Sequence, residues 1–381
     1  VLLFRRTEKN AGMVNILSRC TATVGITILL LAFAMVGKAQ PKFDAVEYAD
    51  LLWLAFYGFA DSSAQPTTYS LKAGKYQKVF SSKEVGLFNC CELYVRSDSA
   101  IVLSLRGTVN KPQSWLENFY AGMIPAIGKL QLDTGYTFNY YFAQIPEATV
   151  HTGWALGTGF LVRAYMPVLE QLLGRGLNRL VVTGHSQGGA LAFLNASYLH
   201  YALGQKYPSL QIKCVASAAP KPGNQYYAYD LEHALAHTGV WRVVNATDWV
   251  PETPVAVQSV TDFNMVNPFS GAMQAIKKQK LPDRLAFSYM YRSMRNSSHK
   301  TAKRYNRFLG RTVGKQVSKV LPGYTPPAYT GGSHFVTVGS PVVLLPNEAY
   351  RQQFAFDGKN VFIHHLYASY QFLLNHQFLR Q

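Results

Sequence analysis

Arg179-Leu-Val-Val-Thr-Gly-His-Ser-Gln-Gly-Gly-Ala-Leu-Ala192 joins a short apolar run to a segment of helical character through a glycine-flanked serine. Gly184, His185, Ser186, Gln187 and Gly188 form G-x-S-x-G, and the flanks are those of a strand before and a helix after. A serine on so sharp a turn is held in a strained backbone conformation with its hydroxyl exposed. Side chains two residues to either side would collide there, so glycine is required at 184 and 188. The N–H of Gln187 then lies at a helix N-terminus, where it can stabilise a developing oxyanion. These features make Ser186 a candidate nucleophile.

Outward from this turn, strand-like and helical segments alternate. Cys91 to Arg96 and Ala100 to Leu105 read as strands, as do Ile212 to Ala218 and Val240 to Val244. Ala45 to Phe59, Gly153 to Gly174 and Ala190 to Leu203 have helical spacing. The alternation predicts an α/β fold with a mainly parallel central sheet and helices on both faces.

A serine nucleophile needs a base and an acid that orients it, in the order Ser, Asp, His on this type of fold. Asp248 directly follows the strand ending at Asn245, whereas Asp230 falls in a helical stretch and Asp283 in a basic segment. For the base, His299, His334, His364, His365 and His376 follow Asp248. The role calls for a loop between the last strand and the final helix. Val361 to Ile363 is read as that strand and Tyr367 to Leu374 as that helix, so His364 and His365 are both at the junction, with His334 as a rival. His299 is surrounded by positive charge, which disfavours an imidazolium, and His376 is deep in the helix.

Several motifs carry a resemblance to the class 3, fungal-type lipase family. The nucleophile segment is nearly the family's own, with Gln187 where leucine is usual. Leu105-Arg106-Gly107-Thr108 resembles its oxyanion motif, and Gln113-Ser-Trp115-Leu-Glu-Asn118 its lid segment. Val150-His151-Thr152-Gly153-Trp154, Ala219-Pro-Lys-Pro-Gly-Asn224 and Val243-Val-Asn-Ala-Thr-Asp248-Trp-Val-Pro251 follow in family order. His365-Leu-Tyr-Ala-Ser-Tyr370 resembles the family's His-x4-Tyr, which favours His365 over His364. The resemblance implies an α/β-hydrolase and a serine esterase or lipase acting on lipid esters. Ser186, Asp248 and His365 would be its triad. The N–H groups of Thr108 and Gln187 would bind the oxyanion, with the Thr108 hydroxyl as a further donor. Trp115 would lie in a mobile cover. A phospholipase or other carboxylesterase on the same triad, or a silent surface-binding protein on the same fold, are the alternatives. No cofactor is expected. Without C-x-x-C, H-E-x-x-H or an Asp-rich loop, no metal site is expected either.

The chain departs from the family between Asp248 and His365. Residues 277–319 hold 13 Lys and Arg against the single acid Asp283, a net +12 of the chain's +17. An insertion over about 266–332 is read here, with a helical form expected from the three- and four-residue steps of Lys300, Lys303, Arg304, Arg307 and Arg311. A cationic face interleaved with Tyr305 and Phe308 suits an anionic membrane surface. Charge confined to one insert, with no recognised binding motif, argues against nucleic acid.

The chain has 381 residues, 48% hydrophobic and 15% charged, a balance that excludes a largely disordered protein. Four cysteines exclude a disulfide-built scaffold; Cys90, Cys91 and Cys214 are expected to be buried thiols. Residues 1–40 read as an N-terminal extension, with Met13 as the expected start, and a signal peptide: Arg19, then the apolar run Val24 to Val36, then Gly37 and Ala39. The run is short for a bilayer span, so a secreted or periplasmic protein is expected over an N-terminally anchored one. Residues 41–381 form the hydrolase-like domain on this reading, and no second apolar run of that length follows, so it is expected to be soluble.

Overall fold

The computed structural model describes residues 41–59, 69–264 and 266–379; the signal-like segment 1–40 lies outside them. The strands, in chain order, are β1 Tyr76–Ser81, β2 Cys91–Arg96, β3 Ile101–Leu105, β4 Met123–Pro125, β5 Ile127–Asp133, β6 Tyr136–Tyr141, β7 Thr149–His151, β8 Arg179–His185, β9 Gln211–Ser217, β10 Val240–Asn245 and β11 Ser340–Leu344. The central sheet runs β1-β2-β3-β8-β9-β10-β11. β1, β2 and β3 pair antiparallel, and β3, β8, β9, β10 and β11 pair parallel. β4 pairs with β7, and β5 with β6, in separate two-stranded ribbons.

The α-helices are α1 Ala45–Tyr57, α2 Pro112–Phe119, α3 Thr152–Gly174, α4 Gln187–Leu203, α5 Gln225–Ala234, α6 Ala272–Lys277, α7 Leu281–Tyr305, α8 Val313–Val320, α9 Glu348–Gln353 and α10 Tyr367–Leu374. A parallel sheet buried on both faces needs strands that are apolar at successive positions, and these are. Leu180 and Val182 face one core with α3, α4 and α5, while Val181 between them faces a second core with α1, α9 and α10. Ile101 and Leu103 against Val102, and Cys214 and Ala216 against Val215, divide in the same way. The expected α/β architecture is therefore present. Cys90, Cys91 and Cys214 are free and buried.

Two sequence readings need correction. Val361 to Ile363 is not a strand but part of a turn. Asp357 Oδ1 accepts the N–H groups of Lys359 and Asn360, and Asn360 Oδ1 accepts that of Phe362. These side-chain bonds curl the backbone and displace a ladder. The last strand is instead β11, whose alternate residues Val342 and Leu344 are buried. Its start, Ser340-Pro341, hid it, because proline is tolerated only at an edge or a strand's beginning. β1 and the β5–β6 ribbon were also unread; their exposed polar positions blur the apolar signal.

Residues 266–332 are largely helical. α6 and α7 are followed by a π-helical turn at Asn306–Thr312 and then α8. Along α7 only Ala302 is buried, whereas Tyr305 and Leu309 pack against Ala121, Met123 and Phe335. Among the described residues no helix is long and apolar enough to cross a membrane.

Candidate active site

The parallel strands end in register: Leu105 pairs with Gly184, and His185 with Ser217. Three loops leave this edge side by side, carrying Thr108 after β3, Ser186 after β8 and Asp248 after β10. Ligand and catalytic groups collect at such carboxyl ends of open α/β sheets.

Ser186 has φ +61° and ψ −129°, a region a side chain rarely occupies. The close approach that makes the turn possible is measurable at the glycines. A Cβ at Gly188 would lie 2.2 Å from Leu105 O, and one at Gly184 2.3 Å from Gly188 O. The backbone is anchored where it bends: Ser186 N–H donates to Ser217 O at 2.9 Å, and Gly189 N–H to Ser186 O at 2.9 Å.

His365 Nδ1 lies 2.7 Å from Asp248 Oδ2, with both side chains buried. Asp248 Oδ2 also accepts from Tyr370 Oη at 2.8 Å, and Oδ1 from Val250 N–H at 3.0 Å. Tyr370 and Val250 both donate to this carboxylate, which is thus placed to accept the proton of His365 on Nδ1, leaving Nε2 as the acceptor. Ser186 and His365 line one cavity of about 990 Å³. Its walls are largely apolar, with Phe56, Trp115, Trp249 and Phe362 among them.

His185, the neighbour of the nucleophile, is also part of this construction. Burial pulls its pKa well below the usual histidine value, so the ring is neutral and carries one proton. Nε2 lies 2.8 Å from the carbonyl of His365, which can only accept, so that nitrogen donates. Nδ1 therefore accepts from Ser217 Oγ at 2.9 Å, and Ser217 Oγ in turn accepts from Tyr48 Oη at 2.7 Å. The chain Tyr48, Ser217, His185 pins the backbone that presents His365.

Thr108 and Gln187, distant in sequence, both line the cavity and touch through their side chains: Thr108 Oγ1 donates to Gln187 Oε1 at 2.8 Å. Among the described residues the backbone N–H of neither is donated to a protein acceptor. In this arrangement the only proton of the Thr108 hydroxyl is held by Gln187 Oε1.

The other histidines are elsewhere. His364 Nδ1 is paired with Tyr350 Oη at 2.8 Å. His299 is exposed on α7, His376 stacks on Phe372, and His334 does not line the cavity. Trp115 is half-buried on α2 and lines the cavity, with Phe119 exposed beside it. The C-terminal half of α2 is tied down. Asn118 Nδ2 donates to Thr108 Oγ1, Asn118 Oδ1 accepts from Trp154 Nε1, and Glu117 is wholly buried. Glu117 escaped the sequence reading, and His185 was read only as part of the nucleophile turn, not as a support of His365. Tyr370 had a signal in its spacing from His365, whereas Glu117 had none.

The constellation sits on an α/β-hydrolase fold and brings together a strained serine turn, an imidazole–carboxylate pair and two backbone N–H groups without a protein acceptor. Residues 102–258 match the family model of the lipase (class 3) family. Over 128 residues the chain is 34% identical to a lipase of Rhizopus niveus and to one of Rhizopus oryzae, covering 32% of this chain and 31% of each relative. It thus spans about a third of the length of these relatives. A secreted mono- and diacylglycerol lipase of Gibberella zeae is 26% identical over 242 residues, covering 60% of this chain and 71% of the relative. The solved Lip2 lipase of Yarrowia lipolytica overlays with a TM-score of 0.41 at 19% identity, covering 57% of this chain and 79% of that one, a likeness too low to bear on function.

Proposed function

We propose that the protein is a serine hydrolase of carboxylic esters of lipids. The observation that carries this reading is the buried His365–Asp248 pair opening, beside a strained Ser186, into an apolar cavity. Ser186 Oγ attacks the ester carbonyl as His365 Nε2 takes its proton. Asp248 stabilises the resulting imidazolium and keeps Nδ1 protonated. The N–H groups of Thr108 and Gln187 receive the oxyanion, a contribution of about 100–1,000-fold in rate per donor. The imidazolium then returns its proton to the leaving alcohol, and water, activated by the same histidine, releases the acyl group. None of these steps calls on a cofactor.

Acylglycerols are the substrate class favoured by the apolar walls and by the relatives, one of them a mono- and diacylglycerol lipase, and Trp115 is the residue proposed to cover the site. Export is proposed from the segment Met13 to Gln40 and from the secreted Gibberella relative. Hydrolysis of p-nitrophenyl esters by the wild type but not by Ser186→Ala is the expected result; activity within tenfold in the variant would dismiss the nucleophile.

The basic insert is proposed to seat the cavity on an anionic lipid surface. Tyr305 and Leu309 line the cavity, and Lys303, Arg304, Arg307, Phe308 and Arg311 are exposed around them on the same helical run. Each cation near an anionic surface contributes about 1 kcal/mol. Binding to anionic vesicles should weaken with salt and be lost when Lys300, Lys303, Arg304, Arg307 and Arg311 become Gln. Equal binding to neutral vesicles would refute this role.

A further inference from the structure

Glu117 is a fully buried carboxyl that the mechanism above does not use. Asn89 Nδ2 donates to its Oε2 at 2.6 Å, and Gln187 Nε2 to its Oε1 at 2.9 Å. Space for it is cut into α3. A Cβ at Gly157 would lie 2.4 Å from Glu117 Oε1, and one at Gly153 2.0 Å from its carbonyl oxygen. Among the described residues no cation pairs with it. Of the charged or titratable groups on the elements around it, His151 at the head of α3 is neutral, its pKa pulled down to about 3 by burial, and is spent on Asn118 O and Trp154 N. Arg106 is held by Glu84 and Phe88 O. The Cys91 thiol is pushed up to about 12 by burial. His185 and His365 are bonded to each other and to Asp248 and Ser217.

The two amides that flank Thr108 differ in their freedom. Trp154 Nε1 can only donate, so Asn118 must turn Oδ1 to it and Nδ2 to Thr108 Oγ1. Asn118 is fixed. Gln187 Nε2 has, besides Glu117, only a long contact of 3.4 Å with Asn89 Oδ1, so its orientation follows mainly from what Glu117 can offer. An ionised Glu117 only accepts, so Gln187 turns Nε2 to it and Oε1 to Thr108, which captures the Thr108 proton. A protonated Glu117 can donate to Gln187 Oε1. The amide then turns over, its Nε2 donates to Thr108 Oγ1, and the Thr108 proton is released towards the cavity that Thr108 lines.

We propose that Glu117 is a positioning residue which, through the side-chain amide of Gln187, decides whether the Thr108 hydroxyl donates into the oxyanion hole. The proposal rests on the hydrolase reading of the site. Burial pushes the Glu117 pKa up to about 8, so the donating state prevails at neutral pH and is lost as the pH rises through that value. One proton leaves Glu117 for solvent, and beyond that only hydrogen bonds are exchanged; no other covalent bond changes. A hydrogen bond to a charged oxygen is worth roughly ten- to hundredfold.

The test is the pH profile of kcat for a soluble ester between pH 6 and 10. For the wild type kcat should fall at least tenfold with a midpoint near pH 8. Glu117→Gln, which cannot ionise, should lose that fall, and Gln187→Leu should lose it too. Thr108→Val should run flat at the lower level. A purely structural Glu117 would lower every point alike, so a Glu117→Gln variant that keeps the alkaline fall overturns the proposal. The infrared carbonyl band of the protonated carboxyl gives a second readout that needs no turnover. It should disappear near pH 8 in the wild type and in Ser186→Ala and be missing in Glu117→Gln; a wild type without such a band also overturns the proposal. Failure of the hydrolase reading looks different: Ser186→Ala then keeps its turnover while the band still titrates.

Discussion

Replacing Asp248 by Asn tests how the imidazole is held. Three donors converge on this carboxylate: His365 Nδ1–H at 2.7 Å and Tyr370 Oη–H at 2.8 Å on Oδ2, and Val250 N–H at 3.0 Å on Oδ1. An asparagine offers one acceptor and one donor face. If its oxygen stays with Val250 N–H, its amide N–H groups meet His365 Nδ1 and the Tyr370 hydroxyl. The imidazole must then accept on Nδ1 and carry its proton on Nε2, where it can no longer take one from Ser186. If the amide turns over, two N–H groups face each other at Val250 and a buried backbone donor loses its partner, at about 1–3 kcal/mol. The first arrangement is the cheaper one, and it disables the base. The expected loss is about 10,000-fold in kcat with little change in KM, the size seen when this tautomer is reversed in a serine triad. Tyr370→Phe leaves the tautomer intact and removes one bond to a charged oxygen, so its loss should be about ten- to hundredfold. Stopped-assay rates on a p-nitrophenyl ester, with circular dichroism to verify folding, measure both. Asp248→Asn within tenfold of wild type, or no less active than Tyr370→Phe, would refute the reasoning.

His365→Ala should abolish turnover, whereas His364→Ala loses only the Tyr350 bond and should stay within about tenfold, the equivalent of one hydrogen bond; the reverse order in a rate assay would shift the base by one residue. Trp115→Ala should reduce rates on emulsified esters more than on soluble ones, and equal losses would reject a cover role. Gly157→Ala puts a methyl group 2.4 Å from Glu117 Oε1 and should cost about 1–3 kcal/mol in denaturant unfolding; an unchanged midpoint would mean that α3 or α2 can shift freely. Glu117 is held above its ordinary value, so the folded protein binds that proton more tightly than the unfolded chain. Stability should therefore fall as the pH rises from about 4.5 towards 8, and Glu117→Gln should flatten that slope in thermal melts.

The short apolar strands and the G-x-S-x-G turn were legible because their signals are local. A strand buried on both faces must be apolar throughout, as at Leu180 to Val182, and a strained elbow must have glycine at 184 and 188, where a Cβ would strike Leu105 O or Gly188 O. Asp248 could be singled out because it leaves a recognisable strand. β11 could not, since its proline and its alternating exposure weaken the pattern, and the apolar Val361 to Ile363 took its place in the reading although side-chain bonds from Asp357 and Asn360 had made it a turn.

Local sequence alone left His364 and His365 side by side at one junction. The tertiary structure separates them, because the turn sends one ring to Asp248 and the other to Tyr350, 14 residues earlier. The same holds for the partners of the oxyanion loop. Nothing adjacent in sequence links Asn89, Glu117 and Gln187, and Gln187 reads only as a departure from the family's leucine. Their contact is made by the packing of β2, α2 and α4 around a gap in α3, and it is burial there, not residue type, that lifts the Glu117 carboxyl into the neutral range. Residue chemistry and local backbone demands are written along the chain; which neutral or charged groups end up facing one another, and how dry their surroundings are, depends on distant segments meeting.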